Sequence, residues 1–382
     1  MRSSTLRWAP SFYFIYYAAA AALSPFLVIY YQELGLKGSQ IGLLAGIPAL
    51  VSLISGPIWG LLSDLTQKQK TILLTTITGS ILLGLAISTF KTFVWLVPVV
   101  ILFSFFFSPI MPLVDSTTMF HLGGQKEKYG QVRMWGAIGW GISAPIVGWW
   151  MESHSIMGSF WAYAALMGLG WLIALSIPVS GQIGPVTAGG LKNFLNNRRW
   201  LIFMVFAFCS GMVLSMITSF LFIYLKEMGA SSLTLGLSLT FATLSEIPIL
   251  YFSNLLLRHW PAQKLMAASF LAFSIRAFSL TLIVVPWIAL LIQLLHGPSF
   301  SLMWTSGVSY ADKIAPSGMS ATAQGLFSGA LLGIGSATGS MLGGIIYQQW
   351  GLISLFRLAA LIALVIGGIA FLMESQSDER PL

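Results

Sequence analysis

Apolar stretches long enough to cross a bilayer recur from one end of this chain to the other. A hydrocarbon core about 30 Å thick is spanned by about 20 residues of helix. Twelve runs reach that length: 8–31, 40–62, 71–90, 92–119, 131–151, 158–177, 200–225, 233–257, 263–285, 287–310, 320–348 and 352–373. Of the 382 residues, 57% are apolar and 8% charged, where a soluble domain carries about 25% charged residues. Prolines and glycines inside the apolar runs are tolerated by membrane helices. The chain therefore reads as an all-α, multi-pass membrane protein. Arg2, Arg7 and the small residues 18–22 imitate a cleavable leader, but the apolar run continues through Tyr31. It is expected to stay as the first span.

The two halves of the chain repeat one another. SPFLVIYYQELG (24–35) matches TSFLFIYLKEMG (218–229), and at the same offset Tyr30 falls on Tyr224, Glu33 on Glu227 and Gly42 on Gly236. Residues 178–199, rich in Gly, Pro and Asn, separate the halves. The expected organisation is an N-terminal six-helix bundle (1–177), a cytoplasmic linker (178–199) and a C-terminal six-helix bundle (200–382). Parallel halves of this kind occur in transporters. With both termini cytoplasmic, only Lys37, Lys91, Lys226 and Arg357 fall on outer loops, which obeys the positive-inside bias. The net charge of +8 is explained by those inner loops, without a nucleic-acid partner.

Charges inside spans are the candidate functional residues, since each costs roughly 2.5–3.5 kcal/mol at mid-helix. Asp115 and Arg133 lie on either side of the polar loop 121–131, so an antiparallel hairpin would bring them to similar depth. Trp140 follows Arg133 at i+7, on the same helix face. In the second half, Arg276 and His296 flank the turn at Pro286, Gln293 lies three residues before His296, and Glu246 is mid-span. Asp115, Arg133, Trp140, Arg276, Gln293 and His296 are the candidate substrate-binding residues. Asp115, Glu246 and His296 are the candidate proton-coupling residues. A neutralised packing network is the alternative reading of either set.

Other polar groups read as structural. Glu33 and Glu227 lie at helix ends, where solvated charge is ordinary. Gly60 and Asp64, in GLLSDLTQKQK, are expected to organise a cytoplasmic turn with a conformational role. Trp8 and Trp200 fit interfacial anchors. The lone Cys209 excludes a disulfide framework, and His121, His154, His259 and His296 lack metal-ligand spacing. HExxH, phosphate-loop and dinucleotide motifs are absent. No metal, cofactor or enzymatic activity is expected.

Twelve spans, the six-plus-six repeat and GLLSDLTQKQK together resemble the major facilitator superfamily. YGQVRMWGAIGW (129–140), with Asp115 upstream, is similar to the lactose permease region of the oligosaccharide:proton symporters, where the matching acid, arginine and tryptophan bind sugar. SEIPILYFSNLLLR, SIR, QLLHGPSF and SPIMPLVD look more like the 3-phenylpropionate transporter group. Two departures count against copying the sugar mechanism. Ser299 stands where that permease has its proton-carrying glutamate, and Gln293 stands where it has lysine.

The expectation is a secondary active transporter of the inner or plasma membrane. It would move a small organic solute, an aromatic acid favoured, in symport with protons by alternating access, and would act as a monomer in the lipid bilayer. Alternatives are a sugar or nucleoside proton symporter, a proton-driven exporter and, in a different class, a membrane enzyme or lipid-handling protein.

Overall fold

The computed structural model describes residues 8–122, 129–178, 197–316 and 319–378, and every regular element among them is helical. In the first half these are α1 (Trp8–Leu23), α2 (Leu27–Glu33), α3 (Gly38–Thr66), α4 (Gln69–Thr89), α5 (Phe93–Phe107), α6 (Ile110–Leu122), α7 (Tyr129–His154) and α8 (Met157–Ala174). In the second half come α9 (Arg198–Glu227), α10 (Ser232–Tyr251), α11 (Ser253–His259), α12 (Ala262–Leu280) and α13 (Ile288–Ile292). A 3-10 turn (Gln293–Leu295) and a π-helical turn (Gly297–Ser301) lead into α14 (Leu302–Ile314). Then α15 (Ser320–Ser328) passes through a second π turn (Gly329–Gly335) into α16 (Ser336–Asp378). Residues 179–196 of the expected linker and 123–128 of the polar loop lie outside the described residues.

Nine stretches among the described residues are long and apolar enough to cross a membrane. The difference from twelve has identifiable causes. α7 and α12 carry too much polar sequence to qualify alone. The last two expected segments join into one 52-residue stretch, Thr322–Met373, within which Gly351 adopts φ 78°. Large apolar side chains in mid-helix, such as Leu82 (63% exposed) and Leu364 (53%), face outward, as a lipid-facing surface requires.

The chain forms two compact units. The first comprises Met1–Leu36, Ile47–Gly184 and Gly229–Thr240; the second comprises Lys37–Gly46, Pro185–Met228 and Phe241–Leu382. Each thus includes a short segment from the opposite half of the sequence. In the first unit α1 packs along α7 and α8, and α4 along α5 and α8. In the second, α9 and α12 both pack along α16. Trp8 and Trp200 are buried (8% and 1% exposed), so they are packing residues and not interfacial anchors.

The sequence repeat has a structural counterpart in matching contacts. Gly35 (φ 73°) and Gly229 (φ 83°) end equivalent helices in the left-handed conformation that a Cβ disfavours. Tyr30 Oη donates to the Ile87 carbonyl and Tyr224 Oη to the Leu280 carbonyl, each near the end of its half's third segment. The first turns of α3 and α10 are capped alike: Ser39 N–H donates to Gln348 Oε1 and Leu233 N–H to Glu152 Oε1, both at 3.1 Å. Glu227 is not merely solvated, since it accepts a hydrogen bond from Tyr347 Oη at 2.8 Å.

Candidate functional site

Small residues on α7 shape the first polar cluster. A Cβ on Gly139 would overlap the Phe14 carbonyl, and one on Gly136 would meet the Tyr17 ring. Ser143 Oγ donates to the Ala18 carbonyl at 2.8 Å. Gly139 and Ser143 are four apart, as are Phe14 and Ala18, so α1 and α7 run side by side in parallel. Close packing of this kind is the usual role of small residues between membrane helices.

That packing puts the hydroxyls of α1 beside Arg133. Tyr13 Oη donates to Asp115 Oδ1. Asp115 Oδ2 lies 3.6 Å from Arg133 Nη1, with the two side chains 29% and 46% exposed. Tyr129, one turn before Arg133, accepts from Nη1 at 3.5 Å, and the guanidinium lies 5.7 Å from the Tyr17 ring centre. The structure therefore joins Asp115 to Arg133, as their depths predicted. Trp140 is on α7 and half-buried, but the aromatic ring over the guanidinium is Tyr17. Tyr13, Tyr17 and Tyr129 were missed by the sequence reading. The available signal was three tyrosine hydroxyls, at 13, 16 and 17, inside one apolar run.

The second cluster gathers all four expected residues of the other half. Arg276, on α12, is 1% exposed. Its Nη2 donates to Gln293 Oε1 at 2.6 Å, and its Nη1 lies 2.8 Å from His296 Nδ1. His296 Nε2 is 3.2 Å from Glu246 Oε1. The break in helix type explains the convergence: a 3-10 turn eclipses residues i and i+3, so Gln293 and His296 present to the same guanidinium. The π turn that follows places Phe300 in a stack on the His296 ring, 5.4 Å between centres.

Gly297 brings His296 to Glu246. A Cβ there would overlap the Ser245 carbonyl, and Gly297 N–H donates to Ser245 Oγ at 2.8 Å. Gly297→Ala should push this helix off α10 and lengthen the His296–Glu246 contact. Overpacking of this type costs about 1–3 kcal/mol. Thermal unfolding in detergent measures it, and an unchanged melting temperature would contradict so close an approach.

Gly60 and Asp64 lie near the end of α3. There Gln67 Nε2 donates to the Asp64 carbonyl at 2.5 Å and Gln67 itself has φ 55°. The turn is thus held through the main chain, with the Asp64 carboxylate exposed. Among the described residues no three His, Cys, Asp or Glu side chains converge as a metal site would require.

Both clusters can accept and donate hydrogen bonds and hold charge at low net cost, which suits binding of a polar solute and movement of a proton. A family model described as the MFS_1 like family matches residues 6–358. The maltose permease of Geobacillus stearothermophilus is 26% identical over 374 residues, covering 97% of this chain and 94% of that protein. The "Probable 3-phenylpropionic acid transporter" of Escherichia coli (strain K12) is 26% identical over 368 residues, 94% of this chain and 95% of that protein. The crystal structure of nucleoside transporter NupG matches with a TM-score of 0.84 at 17% identity, covering 96% of this chain and 98% of that one. At that identity the likeness is one of fold.

Proposed function

The chain belongs to the MFS_1 like family, and from that premise we propose that it is a secondary active transporter coupling a small organic solute to protons by alternating access. It spans the cell membrane twelve times, as six-helix halves 1–177 and 200–382 joined by a cytoplasmic linker, with both termini cytoplasmic. It works as a monomer. Gly60 and Asp64 serve the conformational change.

The observation that carries the substrate reading is the state of the two arginines. An aromatic acid is attractive if both are open to a carboxylate. Arg276 is buried and already serves Gln293 and His296. Arg133 is half-exposed but shares its charge with Asp115. A carboxylate ligand would have to compete with that carboxylate. A hydroxyl both donates and accepts, so it bonds Asp115 and Arg133 together without leaving either charge unmatched. Tyr17 and Tyr129 beside the pair supply aromatic faces for a ring. A neutral hydroxylated solute, a sugar or a nucleoside, fits this arrangement better than an acid. The names of the maltose permease and of the nucleoside transporter agree with that class, and the name of the 3-phenylpropionic acid transporter keeps the acid in contention.

Counterflow in proteoliposomes tests the reading. Vesicles are loaded separately with maltose, uridine and 3-phenylpropionate, and labelled solute is added outside at trace concentration. Transient accumulation of maltose or uridine is expected. Accumulation of 3-phenylpropionate alone would overturn the substrate class. No accumulation of any of the three, from folded protein, would overturn carriage of these solutes.

A further inference from the structure

The second cluster has a direction that follows from which groups can donate. A guanidinium has N–H donors and no acceptor, and it keeps its proton in proteins. Arg276 Nη1 lies 2.8 Å from His296 Nδ1, so Nδ1 carries a lone pair. The single ring proton therefore sits on Nε2, which donates to Glu246 Oε1 across 3.2 Å. Gln293 Oε1 accepts from the other arm of the guanidinium at 2.6 Å. Phe300, stacked on the imidazole at 25° between planes, and Gly297, bound to Ser245, hold the ring in this pose.

We infer that Glu246 is the group of this cluster that takes up the coupling proton, and that His296 stays neutral as the residue that positions it. The inference rests on the proton-coupled reading above and assigns the roles within it. A second proton on His296 would set an N–H against the Arg276 N–H at Nδ1, breaking a contact made deep in the unit. A proton arriving from water on the Glu246 oxygen turned away from His296 breaks no bond: Oε1 still accepts from Nε2–H. The Glu246 side chain is 25% exposed, against 13% for His296, so it is also the more accessible of the two. Among the described residues, the ionisable groups that interact with Glu246 are His296 directly and Arg276 behind it. Uptake of the proton leaves Arg276 as a buried cation without its compensating carboxylate. That imbalance is the energy by which the proton biases the conformational equilibrium.

The test uses three variants of the full chain in proteoliposomes, each measured for accumulation driven by an imposed proton gradient and for counterflow without one. Glu246→Gln should lose gradient-driven accumulation about tenfold or more, with its pH dependence, while counterflow remains measurable. His296→Ala should lose both. His296→Gln offers a carbonyl to Arg276 and an N–H to Glu246, and should rescue gradient-driven accumulation and its pH profile. Coupling retained in Glu246→Gln, or lost in a folded His296→Gln, would overturn the assignment. If His296→Gln does not fold, nitrogen NMR of the wild-type imidazole decides, with His121, His154 and His259 replaced. A bare Nδ1 across the pH range of transport supports the assignment, and a protonated Nδ1 overturns it. Absence of gradient-driven accumulation in the wild type, with counterflow intact, would instead overturn proton coupling itself.

Discussion

Arg276→Met is expected to lower the unfolding temperature and abolish uptake together. Methionine keeps most of the side-chain stem and removes the guanidinium, so the effect isolates charge and hydrogen bonding. Gln293 Oε1 and His296 Nδ1 then lose their donors, each at about 1–3 kcal/mol where no water replaces them. Glu246 also loses the buried cation that balances it. Removing one member of a buried ion pair in direct contact costs roughly 3–5 kcal/mol, and here His296 stands between the two charges. Partial exposure of Glu246 at 25% places the expected loss near the lower end. Glu246→Gln on top of Arg276→Met removes the unmatched carboxylate, so the double variant should be more stable than Arg276→Met alone, a coupling that a double-mutant cycle reads directly. Differential scanning fluorimetry in detergent makes the comparison. A melting temperature within a degree or two of wild type for Arg276→Met, on the order of 0.5 kcal/mol, would mean that the network does not hold this part of the unit together.

Much of this arrangement is legible in the sequence. Charges in apolar runs are rare enough that counting residues from a turn estimates their depth. That counting pairs Asp115 with Arg133 and Arg276 with His296; Gln293 joins them by its three-residue spacing from His296, and Glu246 by its mid-span position. The repeat was legible because Tyr30 and Tyr224 do the same work in both halves, each bonding a carbonyl near the end of its half's third segment. What failed was whatever depends on packing between segments distant in sequence. Helix-face arithmetic puts Trp140 on the face of Arg133 but says nothing of which ring covers the guanidinium. A long side chain on a helix leans toward the N-terminus, so Arg133 reaches back to Tyr129. The ring that covers it comes from α1, brought there by Gly136 and Gly139. Trp8 and Trp200 failed for a related reason. Aromatic residues at span ends suit the membrane interface and a helix–helix seam equally, and only packing decides between them. The switch from 3-10 to π geometry around His296 left no periodic signal, yet it is what turns Gln293 and His296 toward one guanidinium.

Arg133→Ala should do the opposite of Arg276→Met: leave the fold nearly untouched and stop transport. The Asp115–Arg133 pair spans 3.6 Å and both members keep substantial exposure, 29% and 46%. Solvated pairs of this kind contribute about 0–1 kcal/mol. Asp115 also retains the hydrogen bond from Tyr13, so it is not stranded. The melting temperature should therefore move little, and the protein should insert and purify normally. Transport should fall to background, because the solute loses a half-exposed cation and the planar fork that aligns two oxygens at once. Arg133→Lys separates charge from shape. An ammonium restores the cation as a point charge, without the fork and without the flat face against Tyr17. Counterflow should return only in part, with half-saturation raised about tenfold, or about 1.4 kcal/mol of lost binding. Wild-type counterflow by Arg133→Ala would remove Arg133 from the substrate site. A melting temperature as low as that of Arg276→Met would recast the pair as a structural element. The two arginines thus report on different things, Arg276 on the integrity of its unit and Arg133 on the solute, and the same two measurements on each variant tell those roles apart.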